Sequence, residues 1–118
     1  MAAAAFQDET IEESVRVVTI RGELDLSSSP ELRRRTEAAI RDGHDVLVDL
    51  TGCTHMDSSG LAALITAHQR ALELRRRIVI VLESPGVIRT LEIRGVLDLF
   101  TVAGSRDEAL GLLEESPA

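Results

Sequence analysis

An α/β domain with a mixed β-sheet is what this chain predicts, and three observations carry the prediction. Short β-branched runs alternate with stretches of helical apolar spacing, each helical stretch opens on Ser, Pro or Asp, and the alternation begins with two strands in succession. The implied order is ββαβαβαβα, a sheet of four to five strands with four helices and right-handed crossovers. At 118 residues and 44% hydrophobic content the chain has the size of one domain and buries an ordinary core without a disulfide or a metal. The domain is expected over residues 5–115, with loose ends at 1–4 and 116–118.

The elements follow in order. Phe6 to Glu12 pairs as a hairpin across Glu13-Ser14 with the run Val15, Val17, Val18, Ile20, which Gly22 is expected to end. Ser27-Ser28-Ser29-Pro30-Glu31 combines hydroxyl caps, a proline for the first helical position and an acid in the first turn, so a helix starts there. It runs to about Asp42 with Leu32, Thr36, Ala39 and Ile40 inward. A strand from Asp45 to Leu50 follows, then a central helix from Ser58 or Ser59 to about Arg75 with the stripe Leu61, Leu64, Ile65, His68, Leu72. Arg75-Arg76-Arg77 complements its macrodipole. Ile78 to Leu82 is apolar throughout, the pattern of a strand covered on both faces. Ser84-Pro85-Gly86 opens a short helix to about Arg94 with Val87, Ile88 and Leu91 inside. Leu97 to Val102 is expected as the last strand, and Ser105-Arg106-Asp107-Glu108 caps a final helix bearing Ala109, Leu112 and Leu113.

Composition removes several functions. Thirteen basic against 20 acidic residues leave a net charge of −7, which argues against a nucleic-acid partner. Every basic residue is Arg, so a Walker lysine, a Schiff-base lysine and a kinase lysine are all excluded. Cys53 is alone and is expected as a loop thiol without a role, in a reducing compartment. Met1 to Asp8 lacks the basic region of a signal peptide, and no apolar run approaches the length of a membrane span; a cytoplasmic protein with no membrane association is expected.

The most informative stretch is Met56-Asp57-Ser58-Ser59-Gly60-Leu61, a strand-to-helix junction carrying two hydroxyls. The first turn of a helix has unpaired N–H groups and partial positive charge, so a serine there acts as a cap, holds a phosphoryl group, or both. Catalysis at Ser58 fits poorly: a nucleophile elbow wants glycine two residues before as well as two after, Met56 stands in the first position, and none of His44, His55 and His68 is an obvious triad base. An aspartyl-phosphate receiver built on Asp25, Asp49 and Asp57 lacks its lysine. A metal site from His44, Cys53, His55 and Asp57 matches no ligand spacing. By residue chemistry alone, Ser58 and Ser59 are helix caps, and Glu23, Asp25 and Ser27 form a polar turn leading into the first helix.

From Phe6 to about Leu113 the chain resembles a STAS domain, and within that superfamily a bacterial anti-sigma factor antagonist. The resemblance is carried by Gly22-Glu23-Leu24-Asp25, Val48-Asp49-Leu50, Met56-Asp57-Ser58-Ser59-Gly60-Leu61 and Ser84-Pro85. It implies a protein that is not an enzyme and needs no cofactor: unphosphorylated, it binds an anti-sigma factor serine kinase and frees the sigma factor; phosphorylated by that kinase, it lets go; a PP2C-type phosphatase restores it. The phosphoacceptor maps onto Ser58, with Asp57, Ser59 and Gly60 supporting the site; exchange of the two serines would suit the capping chemistry equally. Gly60 either admits the backbone of the kinase or relieves crowding in the first helical turn. Asp25, Ser27 and Leu61 are expected on the partner-binding face, with the loop from Glu23 to Ser28 beside the start of the central helix, because ligands of open α/β sheets gather at such strand ends. A monomer is expected. The rival reading is a STAS scaffold or sensory-complex subunit without sigma-factor control.

Overall fold

The computed structural model describes residues 4–114. Its element order is β1 (Ala5–Ile11), β2 (Val15–Leu24), α1 (Ser29–Arg41), β3 (Asp45–Met56), α2 (Ser58–Glu73), β4 (Ile78–Val81), α3 (Pro85–Ile93), a single 3₁₀ turn (Leu97–Leu99), β5 (Thr101–Ala103) and α4 (Arg106–Glu114). The sheet is mixed, in the order β1-β2-β3-β4-β5, with β1 antiparallel to β2 and the other pairs parallel. Of the expected loose ends, Met1 to Ala3 and Ser116 to Ala118 lie outside the described residues.

Alternation along the strands builds two apolar layers. Val18, Ile20, Val46, Val48, Leu50, Ile78 and Ile80 pack with residues of α1, α2 and α3, whereas Val15, Val17, Leu47, Val79 and Val81 pack with Ala109 and Leu113 of α4. One face thus carries three helices and the other a single one. Where α4 begins, Thr19 and Asp49 are buried on its side of the sheet, and Arg106 reaches them: its guanidinium donates to Asp49 Oδ2 and Thr19 Oγ1, both at 2.7 Å, and to Glu9. Burial pushes the Asp49 carboxyl up, but the Thr51 N–H and hydroxyl and the Arg106 guanidinium outweigh it, so its pKa lies below the ordinary value.

Several expected boundaries move. β2 continues past Gly22, whose φ of +94° accompanies a register shift, and β3 runs through Met56 rather than stopping at Leu50. The two strands pair again as Gly22↔Cys53, Glu23↔His55 and Leu24↔Met56. Cys53 is therefore a strand residue, 1% exposed, its thiol donating to the His55 carbonyl and raised in pKa by burial, not a loop thiol. Leu97 to Val102 is not one strand: the 3₁₀ turn comes first, Phe100 tucks into the core, and β5 spans only three residues. On α2 the inward face centres on the small row Ala63, Ala67, Ala71 beside Leu64, which turns Leu72 out to 65% exposure.

Candidate functional site

The extension of β2 and β3 brings their carboxyl ends to one place. Leu24 is paired with Met56, and the Asp57 N–H donates to the Leu24 carbonyl at 3.1 Å. The chain leaving β2 and the chain entering α2 are in this way fastened side by side.

Asp57 is the N-cap of α2: its backbone is extended and its Oδ1 accepts from the N–H groups of Ser59 (2.8 Å) and Gly60 (3.0 Å). The expectation that the serines cap this helix is corrected here, because a carboxylate one residue earlier reaches both donors. Ser58 is the first helical residue and is exposed, and among the described residues its hydroxyl makes no hydrogen bond; Ser59 is half-buried. Gly60 is buried, and a Cβ built on it would lie 2.7 Å from the Leu24 carbonyl oxygen and 2.8 Å from Leu24 Cγ. The close approach that needs a glycine is made inside the molecule, between the start of α2 and the end of β2.

The β2–α1 loop is held by its own side chains. Asp25 Oδ1 accepts from the Ser27 hydroxyl (2.6 Å), the Ser27 N–H (3.0 Å) and the Ser28 N–H (3.2 Å). The Ser27 hydroxyl foremost, and the other donors of this Asx turn with it, hold the Asp25 carboxyl below its ordinary pKa against the opposing cost of desolvation. Ser28, at the N-cap of α1, makes no side-chain cap; its hydroxyl accepts from the Asp25 N–H and donates to the Glu23 carbonyl, both at 2.9 Å. Asp25 is half-buried, Ser27 is exposed, and Leu26 between them is 75% exposed.

Leu61, expected on the docking face, is 7% exposed and packs in the larger core, so its side chain is not offered to a partner. The apolar residue displayed beside Ser58 is instead Ile93, 71% exposed at the end of α3. An open cavity of about 410 Å³ lies between the two elements, lined by His55, Met56, Asp57, Ser58, Thr90, Ile93 and Arg94. Local sequence contains no signal for this pairing: Ile93 at the end of α3 and Ser58 at the start of α2 share a cavity only through the way the two helices are placed on the sheet. Among the described residues no three His, Cys, Asp or Glu side chains converge as a metal site, and no helix is long and apolar enough to cross a membrane.

Comparison with known proteins adds to this geometry. Residues 7–109 match the family model of the STAS domain. A protein of Listeria monocytogenes named anti-sigma-B factor antagonist is 25% identical over 95 residues, covering 80% of this chain and 83% of its own. One of the same name from Staphylococcus aureus is 29% identical over 96 residues, covering 80% and 89%. Among solved structures, an anti-sigma factor antagonist from Mycobacterium paratuberculosis superposes with a TM-score of 0.87 at 22% identity over 96% of both chains. The antagonist SpoIIAA in its unphosphorylated form superposes with a TM-score of 0.75 at 21% identity, over 95% of this chain and all of that one. At these identities the solved structures establish likeness of fold.

Proposed function

Because the chain belongs to the STAS domain family, we propose that it is an anti-sigma factor antagonist that acts by binding and is switched by phosphorylation of Ser58. Its partner in this reading is an anti-sigma factor serine kinase, bound by the unphosphorylated form so that the sigma factor is released, and a PP2C-type phosphatase resets the switch. The observation that carries the reading is the state of Ser58: it stands exposed at the first position of α2, and its hydroxyl has no hydrogen-bonding duty because Asp57 does the capping. A hydroxyl without a structural task at a strand-end face is available to a kinase. The docking face comprises Ser58, the loop bearing Asp25 and Ser27, and the exposed Leu26 and Ile93.

The energetics suit a release mechanism. Phosphorylation adds about −1.5 to −2 charges at pH 7, next to the Asp57 carboxylate. A partner surface complementary to a neutral hydroxyl would have to desolvate that dianion, which costs several kcal/mol, and each 1.4 kcal/mol is about tenfold in affinity. The domain itself tolerates the charge because Ser58 faces solvent.

The test is co-purification from the native host, followed by incubation with the captured kinase and ATP, and phosphosite mapping. A phosphate ester on Ser58, stable to hydroxylamine, is expected. Ser58→Ala should fold within about 0.5 kcal/mol of the wild type and bind the kinase permanently, whereas Ser58→Asp should bind poorly. Phosphate on an aspartate, or two variants that both bind as the wild type does, would overturn the reading.

A further inference from the structure

We propose that Arg94 is the phosphate-binding residue of the switch, pairing across the cavity with phosphoserine 58 of the same chain; the proposal rests on the assignment of Ser58 as phosphoacceptor. A phosphoryl group at the start of a helix is ordinarily held by the free N–H groups of the first turn. Here most of those groups are already in use. Asp57 Oδ1 takes the N–H groups of Ser59 and Gly60, and the Asp57 carbonyl takes that of Leu61 at 3.0 Å. A dianion on Ser58 would thus arrive beside a carboxylate with only the N–H of Ser58 itself left without a partner among the described residues of the first turn, so a cation across the cavity is the stronger partner open to it.

The cavity wall supplies one. Of its seven residues, His55, Met56, Asp57, Ser58, Thr90, Ile93 and Arg94, the only permanently charged donor is Arg94. The Thr90 hydroxyl is engaged with the Gly86 carbonyl at 3.0 Å, which leaves Arg94 and the imidazole of His55 to face the site. Arg94 is exposed at the C-cap of α3, and among the described residues its side chain makes no ion pair or hydrogen bond. Arg35, Arg70 and Arg106 are by contrast committed, to Asp8 and Glu31, to Glu37 and Glu73, and to Asp49 and Glu9, whereas Arg89, equally without a partner among the described residues, does not line the cavity. The planar fork of a guanidinium matches two phosphate oxygens at once. Pairing would draw Arg94 over the cavity mouth beside Ile93, so phosphorylation reshapes the docking face as well as charging it.

The experiment installs phosphoserine at position 58 by genetic-code expansion, so that no kinase is required, in the wild type, in Arg94→Gln and in Arg89→Gln. Arg89 is an exposed arginine of the same helix that does not line the cavity. The readout is the second ionisation of the phosphate by ³¹P NMR titration, ordinarily near pH 6. Asp57 and His55 are present in all three proteins, so their effects cancel in the comparison. Loss of Arg94 should raise this ionisation by about half a pH unit or more, since a paired cation favours the dianion, and Arg89→Gln should leave it unchanged. Identical titrations in the wild type and Arg94→Gln, or equal shifts in both variants, would overturn the proposal. Its fate separates from that of the switch: a clamp seen by NMR in a phosphorylated protein that still binds the kinase fully would sink the functional reading and leave the clamp standing.

Discussion

Replacing Gly60 with Ala tests the junction on which the site depends. A Cβ at this position would sit 2.7 Å from the Leu24 carbonyl oxygen, 2.8 Å from Leu24 Cγ and 3.0 Å from Met56 Cγ. The first of these is backbone, and the same oxygen accepts the Asp57 N–H, so relief requires the start of α2 and the end of β2 to separate. Overpacking of this kind costs about 1–3 kcal/mol, and weakening the hydrogen bond adds about 1 kcal/mol. Against this, alanine gains about 1 kcal/mol over glycine inside a helix. The net expectation is a loss of about 1–3 kcal/mol. With an unfolding entropy of about 2.1 cal/mol/K per residue, a chain of this length should lose roughly 4–12 °C in Tm by differential scanning calorimetry. Gly111→Ala provides the control, because nothing lies within 4 Å of its Cβ position in α4, and there the helix-propensity gain should appear alone as a small rise in Tm. If Gly60→Ala were stabilised to the same degree as Gly111→Ala, the close approach between α2 and β2 would be refuted.

Two further perturbations address other parts of the fold. Asp57→Ala removes the acceptor of two α2 N–H groups and should cost about 0.5–2 kcal/mol in urea denaturation, with Asp57→Ser recovering part of it; equal stability of all three proteins would show that the cap contributes nothing. Arg106→Met strips the guanidinium from Asp49, which is 4% exposed, and should cost about 1–3 kcal/mol at pH 7. Because the folded pKa of Asp49 is depressed, its stabilisation is present above the unfolded value near 4 and fades as pH falls through the lower folded value. In the variant the acid limb of stability should move to higher pH, and an unchanged profile between pH 7 and pH 2 would refute the role given to the pair.

Sequence by itself determined the succession of strands and helices, because apolar spacing and capping residues act within a few positions of one another. The run Ile78 to Val81 is apolar because both sheet faces are covered there, and Pro30 and Glu31 mark the start of α1 by local chemistry, although the Ser28 hydroxyl serves the preceding loop rather than the helix. The strand-to-helix junction at Ser58 was legible for the same reason. Tertiary structure decided what pairing over distance controls. The polar stretch Thr51 to His55 has no strand signature of its own and becomes β3 only by lying against β2 beyond the shift at Gly22. That pairing sets Leu24 against Gly60, turns Leu61 inward, and frees Ser58 by giving the cap to Asp57. Arg106 and Asp49 meet across 57 positions of chain, and Ile93 and Arg94 line one cavity with Ser58 only through the placement of α3 beside α2. Local spacing records which face of an element is apolar; which polar side chains end up sharing a cavity depends on strand register and helix placement, and no window of neighbouring residues contains either.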